Sequence, residues 1–558
     1  MNEKNSNKVL NVRKLTTVFH NGNEVTTAVH QVYFDLYKGE MLGIVGESGS
    51  GKSVTAYSIL QLLNSKKSEI TGSVLFQAQD EFTEMLALRE EEMRGYRGKK
   101  IALIFQEPMS SLNPTMKCGK QVDEMLELHT SLNASQRKAK ILELFSKVKL
   151  PEPERIYNSY PHLLSGGQIQ RVVIAMAVSS NPEIIIADEP TTALDVTVQK
   201  EILDLLIALR KEIDTSIIFI SHDLQLVRKF CDRIIVMHRG KIVEKGTTKE
   251  IFESPQQAYT KGLIACRPQE NFDKARLPTV EDYITQVDPQ QQKTYDPNFG
   301  EVVLEVKGVK KYYVSKKNWY GRAIEFTKAV DDVSFYIKER EILGIVGESG
   351  CGKSTLGKLI GRIIEPDQGD ILFNGDNIFS YKNEKLKAYR RACQLIFQDP
   401  YGSLNPRMKI GDAILEPILC HKLMSKSKGK DYVNELLLKT GLSESHYQRY
   451  PHEFSGGQRQ RIAIARALAV KPKLLLCDEC ISALDVSVQA QIINLLLDLR
   501  ESEGLSIFFI AHDLAAVRFI SDRILVMNNG KVVESGDAVA IYENPTHPYT
   551  QKLIESIL

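Results

Sequence analysis

The strongest constraint on this chain is that most of it is written twice. GIVGESGSGKS at residues 43–53 returns as GIVGESGCGKS at 344–354, LSGGQ at 164–168 as FSGGQ at 454–458, IIIADE ending at Glu189 as LLLCDE ending at Glu479, and ISHDL at 220–224 as IAHDL at 510–514. The offset between partners is 301 residues at Lys52/Lys353, 292 at Gln106/Gln398, and 290 at every later pair from Ser165/Ser455 to His222/His512. Insertions are therefore confined to the early part of each copy, where loops absorb them. A repeat of this length is far too long for a solenoid. It implies two homologous domains, residues 8–266 and 301–558. The stretch 267–300 between them has four prolines and little apolar periodicity, and reads as a linker.

Within each copy the motifs sit in an alternating pattern of strands and helices. Residues 40–45 and 341–346 form short apolar runs that end at glycines, as buried strands do, and residues 53–63 and 354–364 continue at helical spacing. Residues 184–187, 474–477, 216–220 and 506–510 are further buried strands. Such alternation implies a mainly parallel sheet covered on both faces. Residues 115–160 and 407–450 read as helical insertions.

Strand, glycine-rich loop and helix together give the G-x4-G-K-S pattern a physical meaning. Gly46, Gly49 and Gly51, and in the second copy Gly347, Gly350 and Gly352, allow backbone N–H groups to converge on phosphate oxygens at the positive end of a helix. Lys52 and Lys353 would reach the β- and γ-phosphates, and the Ser53 and Ser354 hydroxyls would ligate Mg²⁺. Asp188 and Asp478 end apolar strands and suit a metal ion. Glu189 and Glu479, one residue further, suit the orientation and deprotonation of an attacking water. Gln106 and Gln398 follow apolar runs, where a neutral amide can contact Mg²⁺ or that water, and His222 and His512 follow strands from which they could reach a γ-phosphate. Ser165-Gly166-Gly167-Gln168 and Ser455-Gly456-Gly457-Gln458 each precede an amphipathic helix, with serine as N-cap and glycines exposing the helix end. A domain with one phosphate cradle gains most from this second anion site by presenting it to another nucleotide.

In this order the motifs resemble the nucleotide-binding domains of ABC ATPases, over nearly the whole chain outside the linker. The resemblance implies an α/β fold of two tandem P-loop NTPase domains, each with a mainly parallel core sheet, an antiparallel β subdomain and an inserted helical subdomain. It also implies intramolecular, head-to-tail pairing of the domains. One ATP site would then combine Lys52, Ser53, Val54, Gln106, Asp188, Glu189 and His222 with Ser455 to Gln458. The other would combine Lys353, Ser354, Thr355, Gln398, Asp478, Glu479 and His512 with Ser165 to Gln168. Asp195 and Asp485 would communicate between the sites. Phe19 and Tyr313 match the adenine-stacking aromatic, Mg²⁺ would be held by Ser53, Gln106 and Asp188 or by Ser354, Gln398 and Asp478, and ATP hydrolysis is the expected activity.

Finer features resemble the peptide/nickel importer ATPases: QEPMSSLNP at 106–114, QDPYGSLNP at 398–406, YPH at 160–162 and 450–452, the tail NPTHPYT at 544–550, and QAYT at 257–260 as a worn copy of that tail. This implies two integral membrane permease subunits on separate chains, an extracytoplasmic solute-binding protein as an indirect partner, and a peripheral position on the cytoplasmic face of the membrane. Some members carry an iron–sulfur centre after the first tail. Only Cys266 lies in that region here, so none is expected.

Composition serves to weigh the alternatives. With 72 Lys and Arg against 70 Asp and Glu, the chain lacks the cationic excess of a general nucleic-acid binder, and no nucleic-acid partner is expected. No window approaches the roughly 18 apolar residues of a membrane span, and the start, MNEKNSNKVLN, lacks the apolar core of a secretion signal. Eight cysteines without framework spacing suggest a reducing compartment. A soluble twin-domain ABC protein acting on ribosomes is the alternative function. Its usual long, charged helical linker does not suit residues 267–300, with four prolines and six acidic against four basic residues. Cys477 and Cys480 bracket Asp478 and Glu479 and read as buried thiols rather than a redox pair. Cys351, inside the second glycine-rich loop, is expected to favour the thiolate and to be protected from alkylation by ATP.

Overall fold

The computed structural model describes residues 7–22, 24–78, 81–191, 196–287, 299–317, 320, 323–482 and 484–555. The chain divides into two compact units, one of residues 1–264 and 280–287, the other of residues 265–279 and 288–558.

In the first unit a six-stranded sheet runs in the order Lys241–Thr247, Arg233–His238, Met41–Val45, Ser216–Ser221, Ile184–Asp188, Ile101–Ile104. All neighbours are parallel except the first pair. Met41–Val45, Ser216–Ser221 and Ile184–Asp188 are buried along their whole length, which explains their unbroken apolar sequence. A second, antiparallel sheet has the order Glu24–Tyr37, Lys8–Asn21, Ser68–Ala78, Glu81–Glu84. The helix Lys52–Ile59 packs against strands of both sheets, and one apolar core joins them, with Leu10, Val32 and Phe76 from the antiparallel sheet meeting Ile44, Ile186 and Ile220 from the parallel one. The helices Cys118–His129, Ala134–Lys147 and Pro153–Asn158 form the insertion and pack on one another.

The second unit repeats this plan. Its parallel sheet is ordered Cys393–Ile396, Leu474–Asp478, Ser506–Ile510, Ile342–Val346, Arg523–Asn528, with Lys531–Asp537 antiparallel at the edge. Its antiparallel sheet is built on Val302–Lys317 and Ala323–Lys338. The insertion holds the helices Ile410–Cys420 and Lys426–Lys439.

The helix after each glycine-rich loop is shorter than its apolar spacing suggests. It ends at Ile59 rather than residue 63, and at Ile360 rather than residue 364. Gln61 and Arg362 stop it by taking left-handed φ values of +48° and +51°. The Gln61 N–H donates to Ser58 O and the Leu62 N–H to Tyr57 O, and Arg362 and Ile363 repeat the pair on Leu359 and Lys358. This is a Schellman ending without its usual glycine. Side-chain anchors supply what glycine would have: Gln61 Nε2 donates to Met85 O at 2.6 Å, and Arg362 Nη1 to Tyr381 O at 2.8 Å.

Part of the stretch 267–300 is also folded. Residues 265–279 belong to the second unit, where Leu277 donates its N–H to Asn494 Oδ1 at 2.9 Å and accepts at its carbonyl from Asn494 Nδ2 at 2.8 Å. Arg276 pairs with Asp498 at 2.7 Å, and Phe272 lies between Tyr542 and the Arg518 guanidinium. The short helix Val280–Thr285 belongs to the first unit, where its Val280 packs on Gly262.

Candidate functional site

Each parallel sheet delivers its chemistry at the C-terminal ends of adjacent strands. In the first unit Met41–Val45 leads into the loop Gly46–Gly51. Gly46 has φ +151° and Gly51 φ +98°, conformations that side chains rarely adopt, and a Cβ on Gly51 would stand 2.6 Å from Ala28 O. Lys52 folds back, its ammonium donating to Gly46 O at 2.7 Å and Glu47 O at 2.9 Å. Lys353 does the same with Gly347 O at 2.7 Å and Glu348 O at 3.0 Å. At Lys52 two of three ammonium protons are thereby spent on holding the loop, and Lys353 Nζ also meets Cys351 Sγ at 3.8 Å.

The neighbouring strand brings the carboxylates. Ser53 Oγ donates to Asp188 Oδ1 at 2.9 Å, and Ser354 Oγ to Asp478 Oδ1 at 2.8 Å. Asp188 is fully buried, and its Oδ2, beside the Tyr57 phenol, makes no hydrogen bond of ordinary length. Burial pushes the carboxyl pKa of Asp188 and of Asp478 up, against the opposing effects of the serine hydroxyls and of Lys52 or Lys353. Asp478 also feels Lys358, whose counterpart in the first copy is Tyr57. A buried carboxylate oxygen without a hydrogen bond, next to a hydroxyl, is a fit for a hard cation. Among the described residues no group of three His, Cys, Asp or Glu could enclose a metal unaided. A cation here needs further oxygens from a ligand, which is the usual state of Mg²⁺ beside phosphates.

Glu189 and Glu479 hold an unusual backbone, with φ of +47° and +48°. Such a conformation costs about 1–3 kcal/mol in a residue with a side chain. The N–H groups are fastened to Ile220 O and Ile510 O at 2.9 Å. Pro190 follows Glu189 but Cys480 follows Glu479, so the fold rather than a proline imposes the turn. Gln106 Nε2 donates to Glu189 Oε2 at 2.9 Å, and His222 Nδ1 donates to the same oxygen at 3.0 Å. In the second copy Gln398 Nε2 donates to Glu479 Oε2 at 2.6 Å, and among the described residues His512 makes no matching bond.

The structure thus brings Lys52, Ser53, Asp188, Glu189, Gln106 and His222 together, and their counterparts with the exception of His512. Val54 and Thr355 are half-buried on the helix after the loop. The SGGQ segments are built separately. Ser165 and Ser455 each close a capping box with Gln168 and Gln458, in which the glutamine N–H donates to the serine Oγ and the serine N–H to the glutamine Oε1. Gly166 and Gly456 open the helices Gly166–Val178 and Gly456–Leu468. Gly167 and Gly457 allow close helix packing, since a Cβ on Gly167 would lie 2.8 Å from Val198 Cγ1 and one on Gly457 would press on Val488 Cγ1. Phe19 is half-buried and Tyr313 is exposed. The adjacent Tyr312 is engaged elsewhere, its hydroxyl donating to Asp331 Oδ1 at 2.5 Å. Asp195 lies outside the described residues, and Asp485 sits at the N-cap of the helix Val486–Glu503.

One expectation is corrected. Cys351 is buried, and burial pushes its thiol pKa up, although Lys353 Nζ stands 3.8 Å from the sulfur and acts the other way. The expected thiolate and its ATP-protected alkylation therefore do not follow, because desolvation outweighs the helix end. Cys477 and Cys480 are both buried free thiols. The tail motifs QAYT and NPTHPYT are visible in the sequence, but not that their tyrosines, Tyr259 and Tyr549, each reach a glycine-rich loop.

Comparison with known proteins places this geometry. The family model described as "ABC transporter" matches residues 29–192 and 330–482, and that described as "Oligopeptide/dipeptide transporter, C-terminal region" matches 243–292 and 533–558. The chain is 42% identical to a protein named glutathione import ATP-binding protein GsiA from Pectobacterium atrosepticum, over 99% of this chain and 89% of that one. It is 44% identical to the protein of the same name from Escherichia coli K12, over 100% of this chain and 90% of that one. It is 45% identical to the peptidoglycan transport ATP-binding protein YejF of Agrobacterium fabrum, over 99% and 97%. These relatives are named for import or transport, and they lend no support to a ribosomal role. With two full motif sets on two α/β cores and a transporter-type tail after each, the chain belongs to the ABC transporter family as an ATPase with two fused ATP-binding domains.

Proposed function

We propose that this chain binds and hydrolyses ATP to energise an importer for peptides or related small solutes, from the cytoplasmic face of the membrane and through two permease subunits on other chains. The observation that carries this reading is the pairing of a complete nucleotide site with an oligopeptide-type tail, twice in one chain. Relatives named for glutathione import and peptidoglycan transport support a peptide-like cargo. Among the described residues no helix is long and apolar enough to cross a membrane, which fits permeases on separate chains.

The geometry supports the following roles. Loop N–H groups and the ammonium of Lys52 or Lys353 would bind the phosphates. Ser53, Asp188 and Gln106, or Ser354, Asp478 and Gln398, would hold Mg²⁺, which would supply charge neutralisation at the phosphates. Glu189 and Glu479 act as general bases. With Gln106 and His222 both on Oε2 of Glu189, that carboxylate is held in one orientation for the water. Phe19 and Tyr313 would stack on adenine. Each site is shared in the working state, with Ser165–Gln168 or Ser455–Gln458 contacting the nucleotide bound to the opposite copy.

Two experiments test this. Replacing both Glu189 and Glu479 by Gln lowers kcat by roughly 10²–10⁴ and leaves ATP binding intact, as loss of a general base does. Normal turnover in that variant refutes the assignment. Ser455→Arg abolishes nucleotide trapping at the Lys52 loop, read by photo-crosslinking of an ATP analogue. Loss at the Lys353 loop alone refutes the sharing.

A further inference from the structure

The tail of each unit ends on the glycine-rich loop of the same unit. In the first, Glu244 on the strand Lys241–Thr247 accepts the N–H groups of Gln256 and Gln257 at 2.7 and 3.1 Å, which fixes the turn into the helix Ala258–Ala265. Tyr259, the second residue of that helix, is 5% exposed, and the Glu47 N–H donates to its hydroxyl at 3.1 Å. The second unit repeats every link. Glu534 accepts the N–H groups of Thr546 and His547 at 2.7 and 3.1 Å, the helix Pro548–Glu555 follows, and the Glu348 N–H donates to the Tyr549 hydroxyl at 2.9 Å.

Glu47 and Glu348 are the second residues of the two loops, so this contact acts inside the phosphate cradle. The same two residues are also held at their carbonyls. The Glu47 carbonyl accepts from Lys52 Nζ at 2.9 Å and from the Ser50 N–H at 3.1 Å, and the Glu348 carbonyl accepts from Lys353 Nζ at 3.0 Å and from the Cys351 N–H at 3.3 Å. A lysine drawn towards phosphate loosens its hold on those carbonyls, whereas the tyrosine lies on the tail side and keeps its hydrogen bond. The first copy adds a brace: His238 packs on Tyr259 with centroids 4.2 Å apart, and the Tyr259 hydroxyl lies 3.4 Å from Glu47 Oε2. Asn528 stands in place of His238 in the second copy, yet the hydroxyl contact is kept.

We infer that Tyr259 and Tyr549 are positioning residues for ATP, with hydroxyls that hold the two glycine-rich loops in their phosphate-binding shape and make nucleotide affinity depend on the docked tail. The inference rests on the proposed ATP sites. A preformed loop binds ground state and transition state alike, so its loss raises KM and spares kcat. A neutral hydrogen bond lost to an ordered loop weakens binding by about 3–10-fold.

The test uses the full chain with Tyr259 and Tyr549 both changed to Phe, which keeps the rings, and a second double variant with both changed to Ala. ATP titrations of hydrolysis and of the ATP-induced rise in Tm are the readouts. The Phe variant keeps its nucleotide-free Tm, raises KM by about 3–10-fold with kcat within twofold, and needs correspondingly more ATP for the same Tm rise. An unchanged KM and unchanged ATP-induced Tm rise in the Phe variant overturn the inference, and they do so equally if the Ala variant loses Tm, because that pattern assigns the rings to packing alone. A wild-type chain with neither hydrolysis nor an ATP-induced Tm rise refutes the ATP sites themselves, and the inference with them.

Discussion

At the scale of single residues the site is built on groups that the fold holds against their own preference. Asp188 is the clearest case. Its carboxyl has a raised native pKa because it is buried, so the native state binds a proton more readily than the unfolded chain does. Stability from this group is therefore lost as pH rises from the ordinary carboxylate range through the native value. Asp188→Asn removes the charge and keeps an acceptor for Ser53. It raises the Tm of the nucleotide-free protein in EDTA, abolishes Mg²⁺-dependent hydrolysis, and differs less from wild type in Tm as pH falls and the native aspartate takes up its proton. A lower Tm in the variant at neutral pH would count against the buried-charge account. The acid–amide–imidazole cluster around Glu189 was legible as residue types at strand ends. Its left-handed backbone was not, because glutamate carries no local signal for φ +47°. That angle comes from the Ile220 carbonyl on the next strand.

At the scale of elements the same sequence pattern serves packing and chemistry together. The SGGQ segment starts a helix with a capping box, and its second glycine sets the distance to the next helix. In the second unit, Gly457→Ala forces a methyl group onto Val488 Cγ1, a branched side chain that cannot swing aside. It costs about 1–3 kcal/mol of stability, as overpacking does, and Val488→Ala in the same chain restores part of the loss. Urea midpoints of the four proteins of this cycle measure the coupling. A Gly457→Ala protein as stable as wild type would show that this glycine is there for the nucleotide alone. Strand positions were readable because fully buried parallel strands leave unbroken apolar runs. Helix ends were less so. Apolar spacing carried the first helix to residue 63, and the Gln61 anchor on Met85 ended it at Ile59 through a contact that periodicity does not encode.

At the scale of the whole molecule the chain resolves into two units of one plan, and the connecting stretch is partly built into them. Asn494 makes two hydrogen bonds to the Leu277 backbone, both buried. Asn494→Ala leaves that N–H and carbonyl without partners, at about 1–3 kcal/mol for each unsatisfied group, and releases residues 265–279 from the second unit. Amide hydrogen exchange over residues 268–278 rises at least tenfold while the core strand Ser506–Ile510 keeps its protection. Unchanged exchange at 268–278 would show that Arg276 and Phe272 hold the segment without Asn494. The repeat, the two sets of site motifs and their ABC character followed from sequence alone. Their chemistry demands particular residue types at close spacing, and two copies of one order leave little room for chance. The tail tyrosines and the docked stretch were decided only by tertiary structure. Tyr259 meets Glu47 across 212 residues and Leu277 meets Asn494 across 217, and in each case one partner is a plain backbone group that any residue could have provided.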